Sequence, residues 1–492
     1  MAQKLSLSTL ASLPDQVATP AYDRDALRAG IVHIGVGNFH RAHMAVYLDQ
    51  LFSLGEGHDW ALVGAGIKSF DADRRNILLD QDWLTTVVEL APGNLTARIT
   101  GSMIDFCEID LAAIIARISD PAIRIVSMTI TEGGYFVDAA TGGFDLNAAA
   151  IQADIAAPAS PQTVFGVLIA GLATRRAAGA PPFTILSCDN LPENGHVTKQ
   201  AVLGLANAMD AELGAWIEQN VAFPNSMVDC ITPATSARER EMVATQFGIE
   251  DGAPVACEPF RQWVMEDNFP QGRPALEKVG VEFVADVLPF ETMKLRLLNA
   301  GHAALAYPAA LLGHTYVHDA MADPLVRNWL ISLMQSEVIP VLTPIPGVKF
   351  EDYLAMCVER FSNPLIGDTI ARLCQDGSNR QPKFVIPTIT DALAAGLPVD
   401  GLAMELALWC KYCAMTADVD FGFALEDERA AQLLAAAQIV ETDPAQFLSI
   451  DDVFGDMGQN PVLQTAFAGA VATLAAQGVA ETLSSFAAAR LG

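Results

Sequence analysis

The spacing of apolar residues differs between the two halves of the chain and predicts two domains. Before about residue 285, short β-branched runs alternate with stretches whose apolar residues have helical spacing; the runs lie at 31–37, 60–67, 123–130 and 183–188. Strands of this kind, each followed by a helix, predict a parallel sheet covered on both faces. After residue 285, alanine- and leucine-rich helical patterns take over. We therefore expect an α/β protein with a doubly wound domain at 1–285 and a largely α-helical domain at 286–492.

The first predicted strand leads into a glycine turn that is typical of nucleotide binding. In GVGNFH, Gly35 would form the tight turn and Gly37 would let the backbone approach a pyrophosphate. His40 stands where the third glycine of the fingerprint is expected. A plain strand-to-helix turn would give the same pattern. The position of this turn in the first strand–turn–helix unit nevertheless favours a Rossmann-like cofactor site, since a helix N-terminus attracts anions.

Asp71 is the candidate for binding the ribose hydroxyls, because it follows the second predicted strand and begins a predicted helix at 71–81. It lies further from the glycine turn than the usual ~20 residues, and a helix N-cap is an alternative interpretation. A carboxylate here would repel a 2′-phosphate and favours NAD over NADP, although Lys68, Arg74 and Arg75 are near in sequence. The predicted cofactor-binding residues are Gly35, Gly37, Asn38, Phe39, Asp71 and Glu132.

Polar residues stand among leucines in KLRLLNAGH, at 294–302. On an α-helix, a step of about 100° per residue would put His302 about 80° and Asn299 about 140° from Lys294, on one broad apolar face. A lysine in such a surrounding loses its charge more easily and could serve as a base. Asn299 could then donate to an oxygen that gains negative charge, and His302 could hold a hydroxyl. The alternative is an ordinary helix that extends its lysine to solvent, and Arg296 fits an ion-pair partner.

A second polar stretch, SCDNLPENG at 187–195, directly follows a predicted buried strand. Ligands of doubly wound sheets bind at the carboxyl ends of the strands, so Asp189 and Asn190 occupy a favourable place. Glu132 follows the neighbouring predicted strand and approaches the same edge. Ordinary turns rich in Asn, Asp and Gly would produce the same two patterns.

Composition narrows the class of partner. With 29 Lys and Arg against 58 Asp and Glu, the net charge of −29 makes binding to nucleic acid or anionic lipid improbable. The longest apolar stretch, at 164–173, is shorter than the ~20 residues of a membrane-spanning helix, and no signal peptide is evident at the start. The eight cysteines are scattered, which favours a reducing cytoplasm. We expect a cytoplasmic protein whose partner is a small molecule.

Several kinds of chemistry lack their sequence motifs. No tyrosine is followed four residues later by lysine, and neither HExxH, a clustered Cys/His set nor a Walker motif is present. Cys410 and Cys413 lie in a helical region, where two core cysteines are favoured over a redox pair. The remaining interpretation is a metal-free oxidoreductase with a lysine base.

Six segments in this order resemble the polyol-specific long-chain dehydrogenases, and the resemblance runs from about residue 28 to the C-terminus. They are GVGNFHRAH (35–43), TITEGGY (129–135), SCDNLPENG (187–195), FPNSMVDCITP (223–233), CEPFRQWVMED (257–267) and KLRLLNAGH (294–302). The resemblance implies a metal-independent, two-domain, monomeric enzyme that moves hydride between NAD and C2 of a polyol. Mannitol and fructose are the implied pair.

The resemblance also implies roles for individual residues. They are catalysis by Lys294, Asn190, Asn299 and His302, substrate binding by Arg372, Asp229 and Arg380, and proton relay by Glu291. Two positions depart from the family pattern, namely Cys230, where an arginine is expected, and Arg380, where a lysine is usual.

Three alternatives remain open at this point. Within the family, the substrate could be a hexuronate such as fructuronate or tagaturonate, although the acidic chain would repel it at long range. Sorbitol or D-arabinitol could replace mannitol, since one hydroxyl's stereochemistry depends on pocket geometry. A nucleotide-binding regulatory protein without the reaction would share the fold, but it would have no need of a base.

Overall fold

The chain divides into two units, Met1–Leu288 and Pro289–Gly492, in a computed structural model that describes residues 2–138 and 141–491. The strands are β1 (Gln3–Lys4), β2 (Val17–Ala18), β3 (Ala29–Ile34), β4 (Ala61–Ala65), β5 (Thr85–Ala91), β6 (Asn94–Thr100), β7 (Met103–Phe106), β8 (Ile125–Met128), β9 (Thr184–Ser187), β10 (Ser226–Asp229), β11 (Ile249–Glu250), β12 (Val255–Cys257), β13 (Gln262–Glu266) and β14 (Glu282–Val284).

The helices occur in both units. The α-helices are α1 (Asn38–Ala42), α2 (Met44–Ser53), α3 (Asp71–Leu79), α4 (Leu111–Ser119), α5 (Ala149–Ala156), α6 (Val164–Ala177), α7 (Asn194–Met209), α8 (Ala211–Asn220), α9 (Ala237–Phe247), α10 (Leu288–Met293), α11 (Ala300–Leu311), α12 (Val317–Ala322), α13 (Pro324–Leu333), α14 (Phe350–Phe361), α15 (Ile370–Cys374), α16 (Gly377–Phe384), α17 (Ile386–Ala394), α18 (Asp400–Met415), α19 (Ala430–Gln438), α20 (Ala445–Leu448), α21 (Asp451–Phe454) and α22 (Pro461–Leu491). Short 3-10 helices are Leu7–Ser12, Arg24–Ala26, Glu132–Tyr135, Leu276–Val279, Ile339–Val341 and Gly455–Gln459. The segments Lys294–Asn299 and Met334–Val338 are π-helical.

A five-stranded parallel sheet in the order β7-β4-β3-β8-β9 forms the centre of the first unit. The chain starts at β3, proceeds to one side through β4 and β7, and then returns to the other side through β8 and β9. This reversal next to the first strand is the topological switch point of a doubly wound sheet. The predicted Rossmann-like fold is therefore confirmed, and each of the predicted runs overlaps one of these strands.

Alternate residues of the central strands pack into two different cores. Ile31 and Leu62 belong to one apolar cluster, while Val32 and Val63 belong to another. Since successive side chains of a strand point to opposite faces, both faces of this sheet are covered. This burial explains why the strands read as continuous apolar runs and not as alternating ones.

The smaller sheets of the first unit did not emerge from the sequence pattern. They have the orders β12-β5-β6-β2, β10-β13-β14 and β1-β11. Most of their strands have two to five residues, which is too short for a period of two to be recognised. β5 and β6 are longer and pair antiparallel from Thr85–Thr100 to Ala91–Asn94, with Gly93 at a φ of 77° in the turn between them.

The second unit is largely α-helical, as predicted. Among its described residues the β-structure consists of one isolated bridge, between Tyr316 and Thr369. α18 packs against α11, α19 and α22, and α13 packs against α22. Cys410 and Cys413 are fully buried on α18, so the interpretation as core cysteines is confirmed.

α22 is the one helix in the described part of the chain that is long and apolar enough to cross a membrane by length and composition. Its backbone is interrupted at Gly478, where φ is 75° and ψ is 174°. Leu463, Phe467 and Leu474 on its first part are buried within the unit. These contacts are typical of a packed helix that has been broken into two.

Glu405 is a carboxyl group in the core of the second unit. Its side chain is buried on α18 and accepts a 2.8 Å hydrogen bond from Nε2 of Gln381. Its second oxygen, Oε2, has no hydrogen-bond partner among the residues that the structure describes. Burial disfavours the charged form and raises the pKa of Glu405 to about 8. The group is therefore protonated at neutral pH.

Replacement of Glu405 by glutamine should stabilise the second unit at high pH. The carboxyl has a pKa of about 8 when folded and about 4.3 when unfolded. Its stabilising contribution is therefore complete below about pH 4.3 and is lost as pH rises through about 8. Thermal unfolding measured at about pH 5, 7 and 9 should show a growing advantage of Glu405→Gln over the wild type.

The exposed Glu218 provides the control, because Glu218→Gln removes a carboxyl that has no buried environment. This variant should follow the wild type at every pH. If Glu405→Gln also followed the wild type, Glu405 would be ionised in the folded protein at neutral pH.

Candidate functional site

Gly35 ends β3 in a conformation that requires glycine. Its φ is 94°, and a Cβ atom there would lie 2.1 Å from the carbonyl oxygen of Thr129, at the end of β8. Its N–H donates a 2.9 Å hydrogen bond to the carbonyl of Ala65, at the end of β4. The turn is thus held between the two strands that flank β3.

Gly37 has an ordinary φ of −83° and leads into α1. A Cβ atom there would meet nothing closer than the Gly35 carbonyl oxygen at 3.9 Å, and the residue is exposed. The space next to this Cα is therefore open, as the close approach of a ligand requires. The two glycines serve different purposes, since the first allows the turn to form and the second leaves its outer side open.

Asn38 and Phe39 lie at the start of α1, but the Asn38 side chain is used inside the protein. Its Nδ2 donates to Oγ1 of Thr235 at 3.0 Å, and its Oδ1 accepts from Nη2 of Arg41 at 2.7 Å. Phe39 is half-buried and stacks on His43 at 4.8 Å between ring centroids. These contacts fix the turn and leave backbone atoms as its ligand-facing part.

His40, at the position expected for a third glycine, turns inward. Its ring stacks on His33 of β3 with 3.5 Å between centroids, and burial holds the pKa of both rings below the usual range, to about 3 for His33. α1 ends after Ala42, because His43 has non-helical angles. The helix and strand are therefore joined by two neutral stacked imidazoles where the standard fingerprint brings their backbones together.

Asp71 is the first residue of α3 and does not occupy the cap position, so the N-cap interpretation is wrong. Phe70 occupies the cap position, and Oδ2 of Asp71 turns back to accept the N–H of Lys68 at 2.9 Å. The side chain packs against Gly66, where a Cβ would lie only 2.6 Å from Oδ2. This hydrogen bond uses Oδ2 and not the other carboxylate oxygen, Oδ1.

The loops after β8 and β9 are joined by Asp189, whose role sequence reasoning left open. Its carboxylate accepts the N–H groups of Ile130 and Thr131 at 2.8 and 2.9 Å and the hydroxyl of Tyr135 at 2.7 Å. This clamp stabilises Thr131 at a φ of 64°. Glu132 follows on the exposed side of the loop.

Asn190 follows Asp189 directly and is exposed. The rest of its loop is tied to β10, because the Asn194 amide donates to the Ser226 carbonyl at 2.7 Å and accepts the Ser226 N–H at 2.9 Å. β10 ends at the buried Asp229. The predicted polar residues of the first unit are thus held by rigid loops at strand ends.

Lys294 to Asn299 form a π-helical segment between α10 and α11, so the α-helical geometry predicted for this stretch is wrong. The wider turn is closed by hydrogen bonds five residues apart, as from the Ala300 N–H to the Leu295 carbonyl. Residues five apart therefore stand on adjacent turns of the same side. Asn299 stands one turn above Lys294, where a regular α-helix would have rotated it away.

The polar side chains of this segment differ in burial. Lys294 is buried, and Oδ1 of Asn299 is buried without a hydrogen-bond partner among the described residues. Because buried polar atoms are nearly always satisfied, this amide oxygen is a candidate for a hydrogen bond from a bound molecule. Arg296 pairs with Asp391 at 2.5 Å, so its interpretation as an ion-pair partner is confirmed. Glu291 is buried on α10, close in sequence to Lys294.

His302 lies on α11 and packs against Phe361 with 4.3 Å between ring centroids. Burial lowers its pKa to about 3, so the ring is neutral at physiological pH. A neutral imidazole has one donor and one acceptor nitrogen, which suits binding of a hydroxyl. The charged groups that act on this ring are Asp368, Arg372, Arg360 and Arg380.

Arg372 and Arg380 are held by other groups of the second unit. Nε of Arg372 lies 2.6 Å from Oδ1 of Asp368, and its Nη2 contacts the other carboxylate oxygen. Arg380 donates to the Leu373 carbonyl at 2.8 Å. Asp368 was not among the predicted residues, although its spacing of four from Arg372 on the sequence is a recognised signal for an ion pair.

Cysteines and possible metal ligands are further side chains that could take part in chemistry. Cys230, the departure noted in the sequence, is buried in an apolar cluster with Cys257 and Val255. Within residues 2–138 and 141–491, no group of three or more His, Cys, Asp or Glu side chains is arranged to hold a metal ion.

Comparison with known proteins gives matches over most of the chain. Residues 29–278 match the mannitol dehydrogenase Rossmann domain, and residues 286–475 match the mannitol dehydrogenase C-terminal domain. A mannitol 2-dehydrogenase from Cereibacter sphaeroides is 53% identical over 96% of this chain and 99% of its own.

Two solved structures are similar over nearly their whole length. Mannitol 2-dehydrogenase of Pseudomonas fluorescens, in a ternary complex with NAD and D-mannitol, has a TM-score of 0.86 and 43% identity, covering 98% of this chain and 99% of that one. A substrate-free D-sorbitol dehydrogenase has a TM-score of 0.90 and 37% identity, covering 97% of this chain and 100% of that one.

The two glycines of the turn should respond differently to substitution by alanine. Gly35→Ala places a Cβ atom 2.1 Å from a carbonyl oxygen at a φ of 94°, so it should cost about 2–4 kcal/mol of stability. Gly37→Ala meets open space and should stay within about 0.5 kcal/mol of the wild type. Calorimetric unfolding of both variants measures the difference, and equal losses would show that the strain at Gly35 is unimportant.

Proposed function

The chain belongs to the mannitol dehydrogenase family, and from this premise we propose that it oxidises D-mannitol at C2 to D-fructose, reversibly, with Lys294 as general base. Membership of the family makes it an NAD-dependent polyol dehydrogenase. The observation that carries the catalytic part of the proposal is the π-helical turn that buries Lys294 and stands Asn299 one turn above it. It supports the pairing of a base with an oxygen-binding amide.

The first unit has the features needed to hold NAD. The open backbone at Gly37 fits the pyrophosphate, with Asn38 and Phe39 fixing the turn and Glu132 on the neighbouring loop. Oδ1 of Asp71 is available to a ribose hydroxyl, and the negative charge of this side chain would oppose a 2′-phosphate. NAD, when bound, supplies the hydride acceptor for the carbinol carbon.

The proton chemistry is assigned to the second unit. Lys294 accepts the proton of the C2 hydroxyl, because its side chain is buried and a buried amine loses its charge more easily. Asn299 donates its amide to the oxygen that gains negative charge. We also propose a catalytic role for Asn190, as the family resemblance implies. Glu291 would pass the proton on to water.

We assign the binding of the substrate hydroxyls to one neutral side chain, that of His302, and to three charged ones. His302, neutral because its pKa is about 3, accepts from one hydroxyl and donates to another with its two nitrogens. Arg372, Arg380 and Asp229 are proposed to contact the rest of the polyol chain. Hydrogen bonds of this kind can bind the hydroxyl groups of a polyol.

The remaining properties follow from the family and from charge. We propose that residues 1–285 serve as the cofactor domain and residues 286–492 as the substrate domain of a cytoplasmic monomer. The net charge of −29 opposes binding to nucleic acid and anionic lipid. The reaction as proposed needs no metal ion, because the lysine supplies the base.

D-sorbitol is the second candidate substrate. The similarity to a D-sorbitol dehydrogenase, with a TM-score of 0.90, favours it specifically. Sorbitol and mannitol differ in the configuration of one hydroxyl, and differences of this size are decided by individual hydrogen bonds in the pocket.

A panel of polyols with NAD tests the function, and Lys294→Ala tests the mechanism. The wild type should produce NADH fastest with D-mannitol, more slowly with sorbitol and D-arabinitol. Loss of the base should lower kcat by about 10²–10⁴. Absorbance of NADH is the measurement, with EDTA added in a parallel series that should change nothing.

Lys349→Ala is the matched control, because Lys349 is an exposed lysine of the same unit. It should retain the activity of the wild type. Equal activity of the Lys294→Ala variant and the wild type would contradict the lysine base, and NADH formation with none of the polyols would contradict the proposed substrate class.

His302 should influence binding without influencing the pH profile. Its pKa of about 3 means that the charged form is stable only below about pH 3, so the ring keeps one charge state throughout the assay range. His302→Asn should raise KM for mannitol about tenfold, as expected for a lost hydrogen bond of about 1.4 kcal/mol. Initial rates between about pH 6 and 10 should give profiles of the same shape. A limb that disappears in the variant would assign a titration to His302.

A further inference from the structure

The charges around His302 are unusual for a site that takes an uncharged sugar alcohol. Besides burial, four charged groups affect the pKa of this ring. They are the guanidinium groups of Arg360, Arg372 and Arg380 and the carboxylate of Asp368. An arginine fork matches a carboxylate or phosphate in shape and charge. Left to itself, such a cluster would prefer an anionic ligand.

Asp368 occupies the fork of Arg372. The two carboxylate oxygens face Nε and Nη2 of the guanidinium, with 2.6 Å between Oδ1 and Nε. This bidentate geometry is the strongest form of the arginine–carboxylate pair. The same two positions are those that a ligand's carboxylate would need.

The backbone around Asp368 fixes this carboxylate in place. The Asp368 carbonyl accepts the Val317 N–H at 3.0 Å, and Oδ1 also accepts the Thr369 N–H at 2.9 Å. The Asp368 side chain is only 13% exposed, whereas that of Arg372 is 52% exposed. The acid is therefore the fixed member of the pair, and the arginine is held against it.

We propose that Asp368 is a specificity-determining residue that neutralises Arg372 and thereby excludes polyhydroxy acids, so that the site accepts uncharged polyols. The inference rests on the proposed function, since it takes Arg372 as part of the polyol site. Asp368 acts through Arg372 and touches no reacting atom, so it is a positioning residue. Its negative charge excludes an acid in two ways, because it occupies the fork and repels a second carboxylate.

Removal of this charge should open the site to sugar acids. D-gluconate is a suitable probe, because it has the carbon chain and hydroxyl groups of a hexitol and ends in a carboxylate. Inhibition by D-gluconate, competitive with mannitol at saturating NAD, should be weak in the wild type. In Asp368→Asn its inhibition constant should fall at least about tenfold, because a charge-assisted bond to Arg372 becomes available. KM for mannitol should rise while kcat changes little, since Arg372 loses its fixed position.

Two further variants of the same pair separate charge from structure. Asp368→Glu keeps a carboxylate and should restore discrimination against D-gluconate. The double variant Asp368→Asn with Arg372→Gln should lose the gained inhibition, because the new anion site is the freed guanidinium. If Asp368→Asn unfolds at the assay temperature, Asp368→Ser removes the charge with a smaller polar side chain and should show the same gain.

Asp105→Asn is the matched control in the first unit. Asp105 also pairs with an arginine, Arg117, at 2.5 Å and also accepts the next residue's N–H, so it should leave inhibition by D-gluconate unchanged. An unchanged inhibition constant in both Asp368→Asn and Asp368→Ser, or a gain that persists in the double variant, would overturn the inference. Absence of polyol oxidation by the wild type would instead overturn the proposed function.

Discussion

The contact between Gly35 and the carbonyl of Thr129 constrains the whole cofactor end of the first unit. It brings the turn after β3 against the end of β8, at the point where the sheet reverses direction. No side chain fits between these strands, so the turn must leave the sheet there. At the same edge of the sheet, the Asp189 carboxylate accepts the N–H groups of Ile130 and Thr131. It thereby joins the loops after β8 and β9, next to Asn190. A short series of contacts therefore holds the loop that carries Asn190.

Each unit contains a partly or fully buried polar side chain, but the two side chains differ in their hydrogen bonding. Asp189 is satisfied by three donors within its own unit. Asn299 is left with a buried oxygen that has no partner among the described residues. The satisfied group stabilises the fold, and the unsatisfied one is available to a ligand.

Sequence alone predicts the parts of this molecule that depend on long apolar patterns. The central sheet and the helical second unit produce such patterns, because whole strands and helices are buried. The short strands β2, β11 and β12 do not, since two or three residues have no measurable period. Direction of a side chain is also lost, as for the Asp71 carboxylate, which turns back to Lys68. The Arg372–Asp368 pair is local, and its spacing of four residues could have suggested it.

The π-helical turn at Lys294–Asn299 has a consequence for aligning relatives of this chain. Each turn of this kind contains one residue more than the α-helical turn that it replaces. Deletion of a single residue here would convert the wide turn into a regular α-helical one and leave α11, with His302, facing the same way. Elsewhere in a helix the same deletion would turn every following residue by about 100°. A one-residue gap aligned within this segment is therefore compatible with an unchanged face of α11.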